Sequence, residues 1–157
     1  MAERLYFEDL QPGASWTTPR RTVTETDIVN FACLTGDFDP LHVDHEAAAQ
    51  GMYGKPIAHG LLGISLLAGL GIQHPAVHTV AFVTIRNWQF LKPIFPGDTV
   101  HAVNEVLETR PRGRRFGQVT WKRRLLNQQG VVTQEGEFET LVAKRDIERR
   151  RSPAEEG

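Results

Sequence analysis

One stretch of the sequence, residues 57–72, is more apolar than any other, and whatever the chain folds into must bury it. Written as a helix, Leu61, Leu62, Ile64, Leu66, Leu67 and Leu70 make it apolar nearly all round, so other structure has to wrap it. His59, Ser65 and four glycines interrupt the run, which falls short of the roughly 20 apolar residues that cross a bilayer. The segment predicts a core helix over about 59–71 and no membrane partner.

The material to wrap it lies beyond Pro75. Residues 79–91, 98–109, 116–126 and 131–142 are rich in β-formers and are separated by turn signals at 93–97, 111–113 and 127–130. Four consecutive strands joined by short turns predict an antiparallel sheet, and Trp16, Thr17 and Thr18 predict a further strand within 14–23. The expected fold is therefore α+β: a curved antiparallel sheet of about five strands around one long apolar central helix. There is no internal repeat and no linker, so residues 1–143 read as one domain, and 157 residues suffice for a real core. Residues 144–157, with Arg149, Arg150 and Arg151, have too little apolar content to pack and are expected to form a mobile charged tail.

Between the first strand and the apolar helix the punctuation is dense. Thr24 reads as an N-cap, Ile28, Phe31, Ala32 and Leu34 as the apolar face of a short helix with Cys33 packed as an inert thiol, and Gly36 as its left-handed end. Asp37-Phe38-Asp39-Pro40 cannot continue that helix and predicts a tight loop ending at His42, after which Asp44 caps another short helix through Ala49.

Composition narrows the function classes. Lys plus Arg number 18 against 19 Asp plus Glu, leaving no global field to attract nucleic acid. The single cysteine excludes an internal disulfide and a multi-cysteine zinc site, and the acidic start lacks the apolar stretch of an export signal, so a cytoplasmic location is expected.

Asp37, His42 and Gly60 together carry the parts that hydration of a conjugated thioester needs. These are a base to activate water, an acid to protonate the α-carbon, and a donor for the enolate oxygen. A carboxylate and an imidazole separated by a short proline-containing loop can turn toward one water. Gly60 opens the apolar helix, where backbone N–H groups are unpaired and a substrate oxygen can approach closely.

The run from Phe31 through Gly36-Asp37-Phe38-Asp39-Pro40-Leu41-His42, then Ala47 and Ala48, resembles the signature of MaoC-like dehydratases and (R)-specific enoyl-CoA hydratases. Pro56-Ile57-Ala58-His59-Gly60-Leu61-Leu62 with Ser65, and Phe90-Leu91-Lys92-Pro93-Ile94-Phe95-Pro96-Gly97-Asp98-Thr99, extend the resemblance over about 6–142. It implies a hot-dog fold, at least a homodimer, a CoA or acyl-carrier-protein thioester as substrate, and no metal or redox cofactor. It further implies that Asp37 and His42 activate water to give a (R)-3-hydroxyacyl product, and that the Gly60 N–H polarises the thioester carbonyl.

One position departs from the family pattern: Asp39 stands where asparagine is usual. An amide hydrogen bond donated there would be lost, and two neighbouring carboxylates could shift the pH profile if both were buried. Other residues carry competing readings. His59 supports the loop geometry, Ser65 bonds back to its helix or to the site, and His42, His45 and His59 could be read as a metal site, which the resemblance disfavours. Arg110, Arg112, Arg114 and Arg115 are either a solvated hairpin tip or a phosphate contact. The competing functions are a thioesterase of the same fold, with water aimed at the carbonyl, and a non-catalytic thioester-binding module.

Overall fold

Alternation decides the architecture. In the computed structural model, which describes residues 3–145, the chain runs β1 (Ser15–Thr17), β2 (Arg21–Thr22), α1 (Glu25–Thr35), α2 (Pro40–Val43), α3 (His45–Gln50) and α4 (Gly60–Gly71). Then come the long strands β3 (Thr79–Phe90), β4 (Thr99–Arg112), β5 (Phe116–Leu126) and β6 (Val132–Ala143). Every second residue of β4 to β6 is driven inward: Val100, Ala102 and Val106, then Val119, Trp121 and Leu125, then Phe138 and Val142. These residues bury Leu62, Leu66 and Leu67 of α4. The result is the expected α+β hot-dog arrangement, with an antiparallel sheet of six strands where about five were expected, packed on the 12-residue apolar helix α4.

The order of the sheet is β1-β4-β5-β6-β3, with β2 also on β4. The expected run of neighbouring strands therefore holds only for β4 to β6. β3 pairs with β6, and residues 91–98 carry the chain across to β4. That crossing segment is fixed locally: Asp98 accepts from the Phe95 N–H at 2.8 Å, and the Gly97 N–H donates to Val23. The single strand expected over 14–23 is broken in two around Pro19. There Thr18 holds the register instead, donating its N–H to the Ala102 carbonyl and accepting the Ala102 N–H on its hydroxyl, each at 2.9 Å.

The central helix is less completely wrapped than its composition suggests. α4 has 12 residues, and Leu61, Ser65 and Gly69 form a stripe that faces away from the sheet, with Leu61 61% exposed. α1 likewise buries only Ile28 and Ala32 fully. Leu34 and Cys33 lie off that face and are exposed, so Cys33 is not the packed thiol expected. The expected tail lies outside the described residues beyond Arg145. Its first two members are anchored, Lys144 donating to the Arg115 and Gly113 carbonyls and Arg145 pairing with Asp9 at 2.5 Å.

Candidate active site

Helix endings place the site. α1 stops because Gly36 adopts φ 80°, which closes the helix with its N–H on the Ala32 carbonyl at 2.8 Å and sends the chain off at Asp37. Proline at position 40 then starts α2, whose N-cap is Asp39: its carboxylate accepts the Leu41 N–H at 2.8 Å. The loop expected to end at His42 is thus a short helical turn that carries His42.

The unusual residue finds a plain role here. N-capping needs an oxygen acceptor two residues before the donor, and Asp and Asn both provide one. Asp37 and Asp39 are both exposed, so the burial that could have set the two carboxylates against each other is absent. They are linked by an Asp39 N–H donated to Asp37 at 3.4 Å.

Two histidines are held by backbone carbonyls, and this fixes which nitrogen of each carries hydrogen. A carbonyl only accepts, so His42 donates from Nδ1 to the Ile57 carbonyl at 2.7 Å, leaving its Nε2 lone pair available. The Leu41 carbonyl in turn accepts the Ile57 N–H at 3.2 Å, bracketing α2 against the segment before α4. His59, only 3% exposed, donates from Nε2 to the Asp37 carbonyl at 3.0 Å and stacks under His42 with ring centroids 3.8 Å apart. A proton on His59 Nδ1 would be a buried donor with no acceptor, so the ring serves as a one-sided donor.

One ligand atom from each of Asp37, His42 and His59 falls within 4.8 Å of the others. The fold thus brings the Asp37 carboxylate beside both imidazoles. Two of the four imidazole nitrogens in this group are committed to backbone, and His45 is elsewhere, paired with Glu25. The sequence grouping of His42, His45 and His59 is therefore not reproduced.

His42 and Gly60 line one cavity of about 320 Å³, with Tyr53, Phe90, Lys92 and Gln134. At its wall α4 begins at Gly60, and among the described residues the Gly60 and Leu61 N–H groups have no acceptor. The positive end of the helix dipole therefore faces the cavity. A Cβ at position 60 would lie 2.8 Å from the Phe90 ring, so any larger residue there would displace that ring. Ser65 is exposed and donates back to the Leu61 carbonyl at 2.9 Å, without a hydrogen bond to Asp37, His42 or His59.

Sequence reasoning missed Gln134. It is a buried polar residue on the inward face of β6, and its Nε2 donates to the Gly60 carbonyl at 3.0 Å while Oε1 accepts the Trp88 indole N–H at 3.3 Å. The amide packs where a Cβ on Gly63 would come within 2.1 Å, so Gly63 makes room for it. Drawing density from the Gly60 carbonyl strengthens the Leu61 N–H of the same peptide as a donor. The only signal in sequence was a glutamine at an inward position of an alternating strand.

Comparison with known proteins places these features in a lineage. A family model described as a MaoC like domain matches residues 9–125. Protein MaoC of Klebsiella aerogenes is 47% identical over 97 residues, 62% of this chain but only 29% of that protein. The (R)-specific enoyl-CoA hydratase of Rhodospirillum rubrum is 33% identical over 141 residues, covering 89% of this chain and 93% of the relative. The solved structure of an Archaeoglobus protein titled a monoamine oxidase regulatory protein superposes with a TM-score of 0.84 at 40% identity, over 90% of this chain and 95% of the other. A match over most of the chain, and relatives that align along nearly their whole length, show that the chain belongs to the family of MaoC-like domain proteins.

Proposed function

We propose that the chain catalyses the reversible hydration of a 2-enoyl thioester, on CoA or acyl carrier protein, to a (R)-3-hydroxyacyl thioester. The observation that carries this reading is the meeting of an exposed carboxylate, Asp37, with the His42 and His59 rings, beside an apolar-walled cavity lined by His42 and by Gly60 at the start of α4. Asp37 and His42 hold a water between them, and His42 Nε2 takes one of its protons. The water oxygen bonds to the β-carbon, and the π pair moves through the α-carbon onto the thioester oxygen, where the Gly60 and Leu61 N–H groups receive the charge. The abstracted proton is then delivered to the α-carbon, so that one water is consumed and no redox or metal step is required. The (R) face and the thioester carrier rest on kinship with the enoyl-CoA hydratases.

A homodimer and a cytoplasmic setting belong to the same reading. β3 is an edge strand with one side unpaired, and Val80, Phe82, Val83 and Ile85 on it are exposed, a surface that a second copy pairing strand to strand would cover. Among the described residues no helix is long and apolar enough to cross a membrane. Arg110 of the β4–β5 hairpin pairs with Glu108 at 2.6 Å, which weakens the case for that hairpin as a phosphate contact.

The test is direct. Purified protein is mixed with crotonyl-CoA and longer trans-2-enoyl-CoAs while loss of the conjugated thioester absorbance and release of free thiol are both followed. Hydration without thiol release is the expected result. Thiol release would make the protein a thioesterase, and no change on any chain length would leave a binding module.

Gln134 gives a second expectation. Gln134→Met keeps the volume but removes the donor to Gly60, and kcat is expected to fall about ten- to a hundredfold with KM little changed, because the loss concerns how charge on the oxygen is met. Steady-state kinetics beside a melting curve checks this. Unchanged kcat in a folded variant would reduce Gln134 to a packing residue.

A further inference from the structure

The inward row of β5 reads Val119, Trp121, Arg123, Leu125, so Arg123 stands where the strand otherwise buries apolar side chains. Of the other inward polar groups nearby, Thr140 accepts from Trp121, Gln134 donates to Gly60, and Asn104 donates to the His74 carbonyl, while Asn104 Oδ1 accepts no hydrogen bond among the described residues. Arg123 has no carboxylate partner among the described residues, and its Nε is buried with no hydrogen-bond acceptor. Aromatic rings flank it instead, Phe138 at 4.7 Å and Trp121 at 5.7 Å from ring centroid to guanidinium. Its Nη1 touches the C-terminal end of α4, close enough that a Cβ on Gly71 would lie 3.4 Å away. The helix end offers only about half a negative charge there. Burial lowers the Arg123 pKa to about 10, which still leaves it cationic at neutral pH.

Arg123 lines a cavity of about 390 Å³ together with Arg4, Thr79, Thr140, Trp121 and Phe82. Among the described residues no acidic side chain lines it, and most of the wall is apolar. Arg123 is half-buried with its Nε fully enclosed, and a partly desolvated cation without its anion costs stability that a ligand's charge would offset.

We propose that this cavity binds a carboxylate carried on an aliphatic stem, Arg123 gripping the carboxylate with its planar fork and the apolar walls taking the stem. Two sources share that chemistry: a free aliphatic acid, and the far end of an acyl group whose thioester sits at the candidate active site. The second source rests on the hydratase reading. It also has geometry behind it, because β3 runs from Thr79 at this cavity to Phe90 at the His42 cavity. Two copies pairing antiparallel along β3 would bring the first end of one strand to the last end of the other, and so one copy's Arg123 cavity toward its partner's active site.

The experiment titrates the full chain with octanoate and with uncharged octanamide by calorimetry, in the wild type, Arg123→Met and Arg123→Lys, and records unliganded melting temperatures. The wild type is expected to prefer octanoate by about tenfold or more, the size of a charged hydrogen-bonded pair. Arg123→Met should lose the preference and melt no lower than the wild type, and Arg123→Lys should retain part of it. Equal or absent binding of both probes by the wild type overturns the proposal. So does an Arg123→Met variant that melts lower with the preference intact, since the guanidinium would then be a helix-end brace. A failure of Arg123→Met to fold leaves the decision to the wild type and Arg123→Lys. The hydration assay separates the sources by comparing an enoyl-CoA ending in carboxylate with a neutral one of equal length. A ratio of kcat/KM that collapses in Arg123→Met assigns the far end of the substrate, whereas an unchanged ratio with octanoate binding lost assigns a free acid. If neither thioester turns over, the hydratase reading fails while the calorimetry still decides this one.

Discussion

Asp37→Asn and His42→Ala are each expected to lower kcat for enoyl-thioester hydration by about 10²- to 10⁴-fold, the contribution of a positioned acid/base group. Neither change should unfold the protein. The Asp37 side chain is 53% exposed, and an Asn there still offers an oxygen to the Asp39 N–H; His42 gives up one hydrogen bond, to Ile57. The double variant is the sharper measurement. If the two groups act on one water, removing both should cost little more than removing the worse of the two, because members of one catalytic unit are not additive. Two losses that multiply would mean separate tasks, and a variant pair as active as the parent would remove the Asp/His unit from the mechanism.

Much of this site was legible in the sequence because its parts are written as punctuation. Thr24 as N-cap, Gly36 as left-handed end and Asp44 as the next cap each have a local physical cause, and the structure reproduces them, whereas Pro40 opens a short helical turn where a loop was expected. Once those ends are fixed, Asp37, His42 and Gly60 have few places to go. The alternating runs gave β5 its bounds for the same reason, a periodicity that depends on neighbours in the chain alone.

What escaped was whatever depends on partners far along the chain. That β3 lies beside β6 and not β4 is a choice among sheet edges, which no local signal encodes. Leu34 and Leu61 read as buried from their type, yet both are exposed. Gln134 and Arg123 were invisible as a class: inward polar residues whose meaning comes from Gly60, 74 positions earlier, or from a cavity. Asp39, where the family pattern has asparagine, caps α2 by accepting the Leu41 N–H, a partner that sequence alone did not name.

His59 carries the second large expectation, since it joins the fold to the chemistry. The ring is buried, supports His42 from below, tilts against Phe31 at 5.1 Å and holds the Asp37 carbonyl, so it fixes both members of the acid/base pair at once. His59→Ala removes the stack and the donor and is expected to cost about 2–3 kcal/mol of stability, the sum of a cavity and an unpaired carbonyl. It should also lower kcat about a hundredfold, because small displacements of a catalytic group are costly. His59→Phe separates the two effects: a ring of similar shape should restore most of the stability while the Asp37 carbonyl stays unpaired and kcat stays low. Urea unfolding gives the first quantity and single-turnover hydration the second. Full activity in a folded His59→Phe variant would show that packing alone places Asp37 and that the hydrogen bond is incidental. A low rate restored by His59→Gln, which can donate again but cannot stack, would assign the effect to the bond.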